Sequence, residues 1–297
     1  MKHVSEIVSE VIADRTDPIM TGLPPLDELV GGYYPGELTV VCGGENVGKT
    51  AFIVHQVNRM AIDLGIATYL NIGFMNEQMW LSMMAAYYCG IHTNNLHTVL
   101  SSPMYEAAVN DYLTMLKQAP LFVEAGFIQE PELEHTVKVI KREGIKIAFI
   151  DDAMWFGDDR RDLKRLAIEC GIPVVAAMLT RPNERDGLAG YRPMLSDLDS
   201  QRYGSDVVIG LMDFEANHIY QDENGRNLRD VLELGILKNK GMMALSQVRI
   251  RKSSLYARCL SKDDEKQIME EMIVQNHHVS TLLEKLKMQS HDGDFVC

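Results

Sequence analysis

No apolar stretch in this chain reaches the roughly 18 residues that a membrane helix needs, so no spanning helix is expected. The opening segment, MKHVSEIVSEVIADR, lacks the basic start and apolar run of an export signal, and no export is expected. Cysteine is scarce and odd in number. Cys42, Cys89, Cys170, Cys259 and Cys297 are scattered, and none forms a C-x-x-C pair. They read as reduced thiols, which excludes a disulfide framework and a cysteine zinc site. Positive charge is also short: 29 Lys and Arg face 42 Asp and Glu, a net −13, which argues against a broad nucleic-acid-binding face. Internal repeats and low-complexity tracts are missing as well. The composition, 46% hydrophobic and 24% charged, is ordinary for a globular protein.

The charge is uneven. Residues 1–135 hold 16 acids against five bases, Lys2, Arg15, Lys49, Arg59 and Lys117. Residues 238–262 hold Lys238, Lys240, Arg249, Arg251, Lys252, Arg258 and Lys262 without one acid. Such a patch either binds phosphates locally or forms a solvated β-rich face.

Apolar spacing predicts a helix over 3–14, from Val4, Ile7, Val8, Val11 and Ile12. A Pro-containing linker follows, TDPIMTGLPPLDELVGG. Strands are then expected at ELTVVC, IATYLNI, PLFVEA, IKIAFIDDA and IPVVAAML, separated by helices near 49–60, 76–90, 104–118, 130–142 and 158–170. The Met and aromatic stripe of 76–90 (Met79, Trp80, Met83, Met84) reads as core. A polar loop over 180–205 precedes three further strands, DVVIGLMDF, RDVLELGILKN and GMMALSQVRIR. Alternating strands and helices imply a parallel sheet covered on both faces, and the late strands an antiparallel edge. The tail reads as a polar helix, with His277 and His278 facing solvent.

Two motifs carry chemistry. Gly43-Gly44-Glu45-Asn46-Val47-Gly48-Lys49-Thr50 fits G-x-x-x-x-G-K-[ST] in full, after a buried strand and before a helix. Glycines let backbone N–H groups wrap phosphates, Lys49 neutralises the β/γ oxygens, and the Thr50 hydroxyl ligates Mg²⁺. The helix N-terminus adds its dipole. Glu45, inside an anion-binding loop, is expected to point to solvent. About a hundred residues on, the apolar run Ile147–Ile150 ends in Asp151 and Asp152, which sets Asp151 beside the metal.

The stretch TGLPPLDELVGGYYPGELTVVCGGENVGKTAF, with NEQM, IPVVA and YRPMLSDL further on, resembles the motor domain of DnaB-type replicative helicases. The resemblance covers roughly residues 19–250. The P-loop is common to many ATPases, whereas TG-x-x-x-LD and RP-x-x-SDL are more specific and speak against a recombinase-type relative. The fold it implies is an α/β, RecA-like P-loop NTPase: a mostly parallel twisted sheet flanked by helices, with an antiparallel C-terminal edge. It also implies ATP and Mg²⁺ bound between the subunits of a homo-hexamer, single-stranded DNA in the ring, and a primase or loader as partner. Location would be the cytoplasm of a bacterial or phage-infected cell. Residues 1–18 would be a linker helix docking on a neighbouring subunit, 19–258 the ATPase domain and 259–297 a helical tail. The family's separate N-terminal helical domain is expected to be missing.

The sequence departs from the family at its chemistry. Phe74 aligns with the Glu that serves as general base, leaving Asp152 or Glu77 as relocated bases, or very slow hydrolysis. Leu179 aligns with the Gln that senses the γ-phosphate. Lys238-Asn239-Lys240 aligns with the K-x-R that acts on the neighbour's ATP, and Lys matches a bidentate phosphate contact less well than Arg. For DNA, Arg181, Arg185, Arg192 and Arg202 in the polar loop are the candidates. The expectation is thus a helicase motor core, with a hydrolysis-impaired, ATP-binding regulator or loader as the alternative.

Overall fold

All six positions of strand β1 (Leu38–Gly43) are buried. The pleat sends neighbouring side chains to opposite faces: Val41 joins one apolar core, and Leu38, Val40 and Cys42 join the other. A strand covered on both faces reads as a continuous apolar run, which is why ELTVVC lacks alternation.

The computed structural model describes residues 3–4, 17–73, 75–91, 99–126, 130–151, 161–180, 192–198, 204–240 and 242–252. Beyond β1 these include α1 (Pro24–Val30), α2 (Lys49–Val57), β2 (Thr68–Asn71), α3 (Glu77–Tyr88), α4 (Glu106–Gln118) and β3 (Leu121–Glu124). They continue with α5 (Glu130–Arg142), β4 (Ile147–Ile150), α6 (Arg161–Cys170), β5 (Val174–Leu179), β6 (Val207–Asp213), β7 (Val231–Asn239) and β8 (Met242–Arg251). The strands form one sheet in the order β3-β2-β4-β5-β1-β6-β7-β8. Pairing is parallel from β3 through β6 and antiparallel for β7 and β8, as the strand pattern predicts.

One face packs against α1 to α4 through Leu26, Phe52, Ile53, Trp80, Met84 and Tyr112. The expected Met and aromatic core stripe of α3 is found there. The other face packs against α5 and α6 through Leu133, Ile140, Leu163 and Leu166. Each fully buried side chain of this size contributes about 1.5–3 kcal/mol.

The Pro-containing lead-in is more than a linker. Pro24 starts α1, and Gly31 ends it in the left-handed conformation, φ 77°. The Asp27 carboxylate accepts from Thr21 N at 2.8 Å and Gly22 N at 3.1 Å. Gly22 has φ +76°, and a Cβ there would lie 1.8 Å from Arg59 Nε. The spacing TG-x-x-x-LD is therefore a closed turn that one carboxylate ties together. Helix α2 runs on into a π-helical segment, Asn58–Asp63, where Leu64 N donates to Arg59 O. The linker helix falls outside the described residues apart from positions 3 and 4, and the C-terminal tail lies wholly outside them.

Candidate nucleotide site

The P-loop leaves β1 at Gly43 and enters α2 at Lys49. A Cβ on Gly43 would meet the Leu211 backbone oxygen at 2.8 Å, so only glycine lets β1 pack this closely on β6. Asn46 and Gly48 both take positive φ, 58° and 95°. That conformation turns the chain so sharply that α2 begins without a side-chain cap. Its first N–H groups are then open to an anion. Around Gly44 there is room, since a Cβ would have nothing nearer than 3.8 Å. Glu45 and Asn46 are exposed, and Lys49 and Thr50 are half-buried. Glu45 is thus solvent-exposed, as expected. Lys49 Nζ donates to Gly44 O at 2.6 Å and to Gly43 O at 3.2 Å, which folds the ammonium back over the loop.

Three strands end together beside this loop. Register pairs Gly43 of β1 with Leu179 of β5, and Ala176 of β5 with Ile150 of β4. Asp151 follows β4 and is 6% exposed; its N–H donates to Asn71 O at 2.9 Å, anchoring it to β2. Because β5 lies between, Asp151 stands two strands from Gly43, about 10 Å across the sheet. Thr50 and Asp151 carry hard oxygen atoms of the kind that could hold Mg²⁺. Ligand sites of open α/β sheets sit at the carboxyl ends of the strands, and this edge is that end.

The relocated-base candidates divide. Asp152, like Phe74, lies outside the described residues. Glu77 is exposed in the first turn of α3, behind the Asn76 side chain, which accepts from Gln78 N at 2.7 Å. It follows β2, beyond β4 from the P-loop.

Lys238 and Lys240 are on the opposite edge. Asn239 pairs with Val207, and Val207 with Thr39. That level is about 13 Å down the sheet from Gly43. Lys238 Nζ donates to Ser205 O. Lys240, with φ 50°, sets its Nζ 3.4 Å from the Tyr34 ring centroid and 3.8 Å from Glu37 Oε1. Neither ammonium faces the P-loop of its own chain.

Of the four loop arginines, Arg181, Arg185 and Arg202 lie outside the described residues. Arg192 is inside them and forks onto Glu233, Nε to Oε1 at 2.6 Å and Nη2 to Oε2 at 3.1 Å. Arg249 Nε reaches the same carboxylate at 3.0 Å. Glu233 itself is buried in β7. Sequence reasoning passed over this carboxylate, since its partners are far along the chain. Cys42, read from the sequence as a reduced thiol, is a free thiol buried in the strand under the loop. Burial, with Asp197 adding to it against Lys49, pushes that thiol up to about 12, so it stays protonated.

A P-loop on β1, an acid on β4 and an interposed β5 define a RecA-like P-loop NTPase fold. More particularly, the chain belongs to the DnaB-like helicase C terminal domain family, whose profile matches residues 18–251. It is 27% identical over 212 residues to the replicative DNA helicase DnaB of Treponema pallidum, covering 65% of this chain and 47% of that protein. Against DnaB of Geobacillus stearothermophilus it is 24% identical over 232 residues, covering 72% and 51%. The chain therefore spans about half the length of these relatives. Among solved structures, one ATPase domain superposes with a TM-score of 0.67 at 17% identity, covering 84% of this chain and 93% of that one. A DnaB-like replicative helicase studied with primase gives 0.64 at 17% identity, covering 84% and 63%.

Proposed function

We propose that this chain is the ATP-dependent motor core of a DnaB-like DNA helicase, acting on single-stranded DNA in replication. The observation that carries the proposal is the split between the two sheet edges. One edge holds the P-loop and Asp151; the other holds Lys238 and Lys240, about 13 Å away along the strands. Such an arrangement suits a ring in which one subunit's lysines serve the next subunit's ATP. The family membership supports a homo-hexamer.

In this reading the amides of Gly43–Thr50 hold the phosphates, Lys49 neutralises them, and Thr50 and Asp151 hold Mg²⁺. The metal withdraws charge from the phosphates when bound. Asp152 or Glu77 orients water, and Lys238 and Lys240 approach from the neighbour. Arg181, Arg185, Arg192 and Arg202 are the DNA-facing candidates, with Arg192 already shared with Glu233. A primase or loader is the expected partner, and the cytoplasm of a bacterial or phage-infected cell the expected location.

The test is steady-state ATP hydrolysis by the full chain, with and without single-stranded DNA, beside Lys49→Ala. Turnover that rises with DNA and vanishes in Lys49→Ala is expected. Intact ATP binding with no turnover under either condition would overturn the motor reading in favour of a hydrolysis-impaired regulator.

A further inference from the structure

Lysine carries its charge on a flexible aliphatic stem and lacks the planar fork that keeps an arginine's contacts in place. A lysine that serves a neighbour's phosphates therefore needs its rigidity from elsewhere. Lys240 has such a source. Its backbone takes φ 50°, and its N–H donates to Asp206 O at 2.7 Å. Its Nζ stands 3.4 Å from the Tyr34 ring centroid, where the negative face of the ring attracts it.

The ring belongs to a built turn, Tyr34-Pro35-Gly36-Glu37. Glu37 N donates to Tyr34 O at 3.1 Å, with Pro35 second and Gly36 third at φ 73°, the pattern of a type II turn. Such a turn brings its first and last residues together. The Tyr34 ring and the Glu37 carboxylate thus reach one ammonium, Glu37 Oε1 at 3.8 Å. The turn is tied to the sheet: Gly36 N donates to Ile172 O at 3.1 Å and Val174 N to Glu37 O at 3.0 Å. Lys164 Nζ adds a bond to Gly36 O at 2.7 Å. Gly31 leaves room for the phenol, since a Cβ there would lie 3.1 Å from Tyr34 Oη.

This hold leaves the ammonium usable. A ring face takes no N–H donor from it, and 3.8 Å to Glu37 is longer than a hydrogen bond. The Lys240 side chain is 41% exposed. Lys238 Nζ, by contrast, already donates to Ser205 O. We infer that Tyr34 and Glu37 are positioning residues that hold Lys240 in place for the ATP of the neighbouring subunit. The inference rests on the motor reading above and goes beyond it by naming the groups that aim its trans-acting lysine.

Two measurements on the full chain test this. In the first, without nucleotide, the lysines carry isotopically labelled methyl groups for NMR. The Lys240 signal, identified by its loss in Lys240→Ala, is expected upfield of the other lysine signals through the ring current, and back among them in Tyr34→Leu. In the second, ATP turnover is followed with single-stranded DNA. Tyr34→Leu is expected to lower kcat about tenfold and leave KM for ATP unchanged, because the P-loop that binds this ATP belongs to the next subunit. Tyr34→Phe, which keeps the ring, is expected to keep the parent kcat. Mixed equally with Lys49→Ala, Tyr34→Leu is expected to give more turnover than the average of the two alone, since the lysine edge of one and the P-loop of the other form intact interfaces. Mixed with Lys240→Ala, it is expected to gain none. A parent Lys240 signal among the others, a Tyr34→Leu kcat equal to the parent's, or a raised KM with kcat kept overturns the inference. So does a loss in Tyr34→Leu that Lys49→Ala does not complement, which would mark the ring as structural. If the parent has no turnover, or Lys49→Ala and Lys240→Ala do not complement each other, the motor reading itself fails and the inference with it, a different result from any of these.

Discussion

Glu233 shows how one residue can join distant parts of the chain. It is buried in β7 at 2% exposure, and charge in such a place is tolerated only with partners. Arg192, 41 residues away, and Arg249, 16 away, supply them. Removing the carboxylate would leave two guanidinium groups facing an apolar strand pair, one of them over the Phe214 ring at 5.1 Å. Glu233→Ala is expected to lower the unfolding free energy by on the order of 3 kcal/mol, read as a shift in the urea midpoint at unchanged slope. Arg192→Ala is expected to cost less, because Arg249 still neutralises Glu233. A Glu233→Ala protein as stable as the parent would mean that both arginines simply turn to solvent.

At the scale of elements, the ends of β6 and β8 are joined by a charge cluster. Lys252, just past β8, donates from Nζ to Asp213 Oδ2 at 3.1 Å and to Glu215 Oε2 at 2.9 Å. Burial works to lower the Lys252 ammonium, but bonds to Glu215 and Asp213, with their charges, outweigh it and raise it above 10.5. Glu215 is held below 4.5, first by the Lys252 bond and then by the Asp230 N–H. The signs follow by linkage. The raised lysine contributes stability below its unfolded value and loses it as pH climbs through its folded one. The lowered carboxylate contributes above its unfolded value and loses it as pH falls through its folded one. Stability from this cluster should therefore be flat between about 4.5 and 10.5 and fall on both sides. Lys252→Met is expected to flatten the alkaline fall, measured as melting temperature against pH. An unchanged alkaline limb would show that the cluster does not hold the two strand ends together.

Over the whole molecule, the question is whether the two sheet edges work within one subunit or between two. Lys240 is held by Tyr34 and Glu37 of its own chain, on the edge away from its own P-loop. A head-to-tail ring makes every interface from two unlike surfaces. Under the proposed function, Lys49→Ala would spoil one surface and Lys240→Ala the other, and each variant alone is expected to be inactive. Mixed in equal amounts, two inactive variants would leave about a quarter of the interfaces with both surfaces intact. Turnover is expected to return in the mixture to about that fraction of the parent rate. If lysine and P-loop act within one subunit, no mixture recovers activity.

Much of this was legible before any fold was known. The P-loop announces itself because its chemistry is local: glycines for the turn, then lysine and threonine where α2 starts. The parallel sheet is legible in its continuous apolar runs, whereas TG-x-x-x-LD marks a resemblance without revealing that Asp27 ties the turn. Other features depend on which strands lie side by side. Nothing in the chain order says that β5 separates β1 from β4. No spacing pairs Glu233 with Arg192. The alignment of Lys238 and Lys240 with a trans-acting pair does not reveal that they stand on the far edge from Gly43. The sequence by itself determined the local chemistry, because hydrogen bonds in turns and helix starts reach only a few residues. The tertiary structure alone decided which of those groups meet, because sheet order and register are set by burying both faces at once.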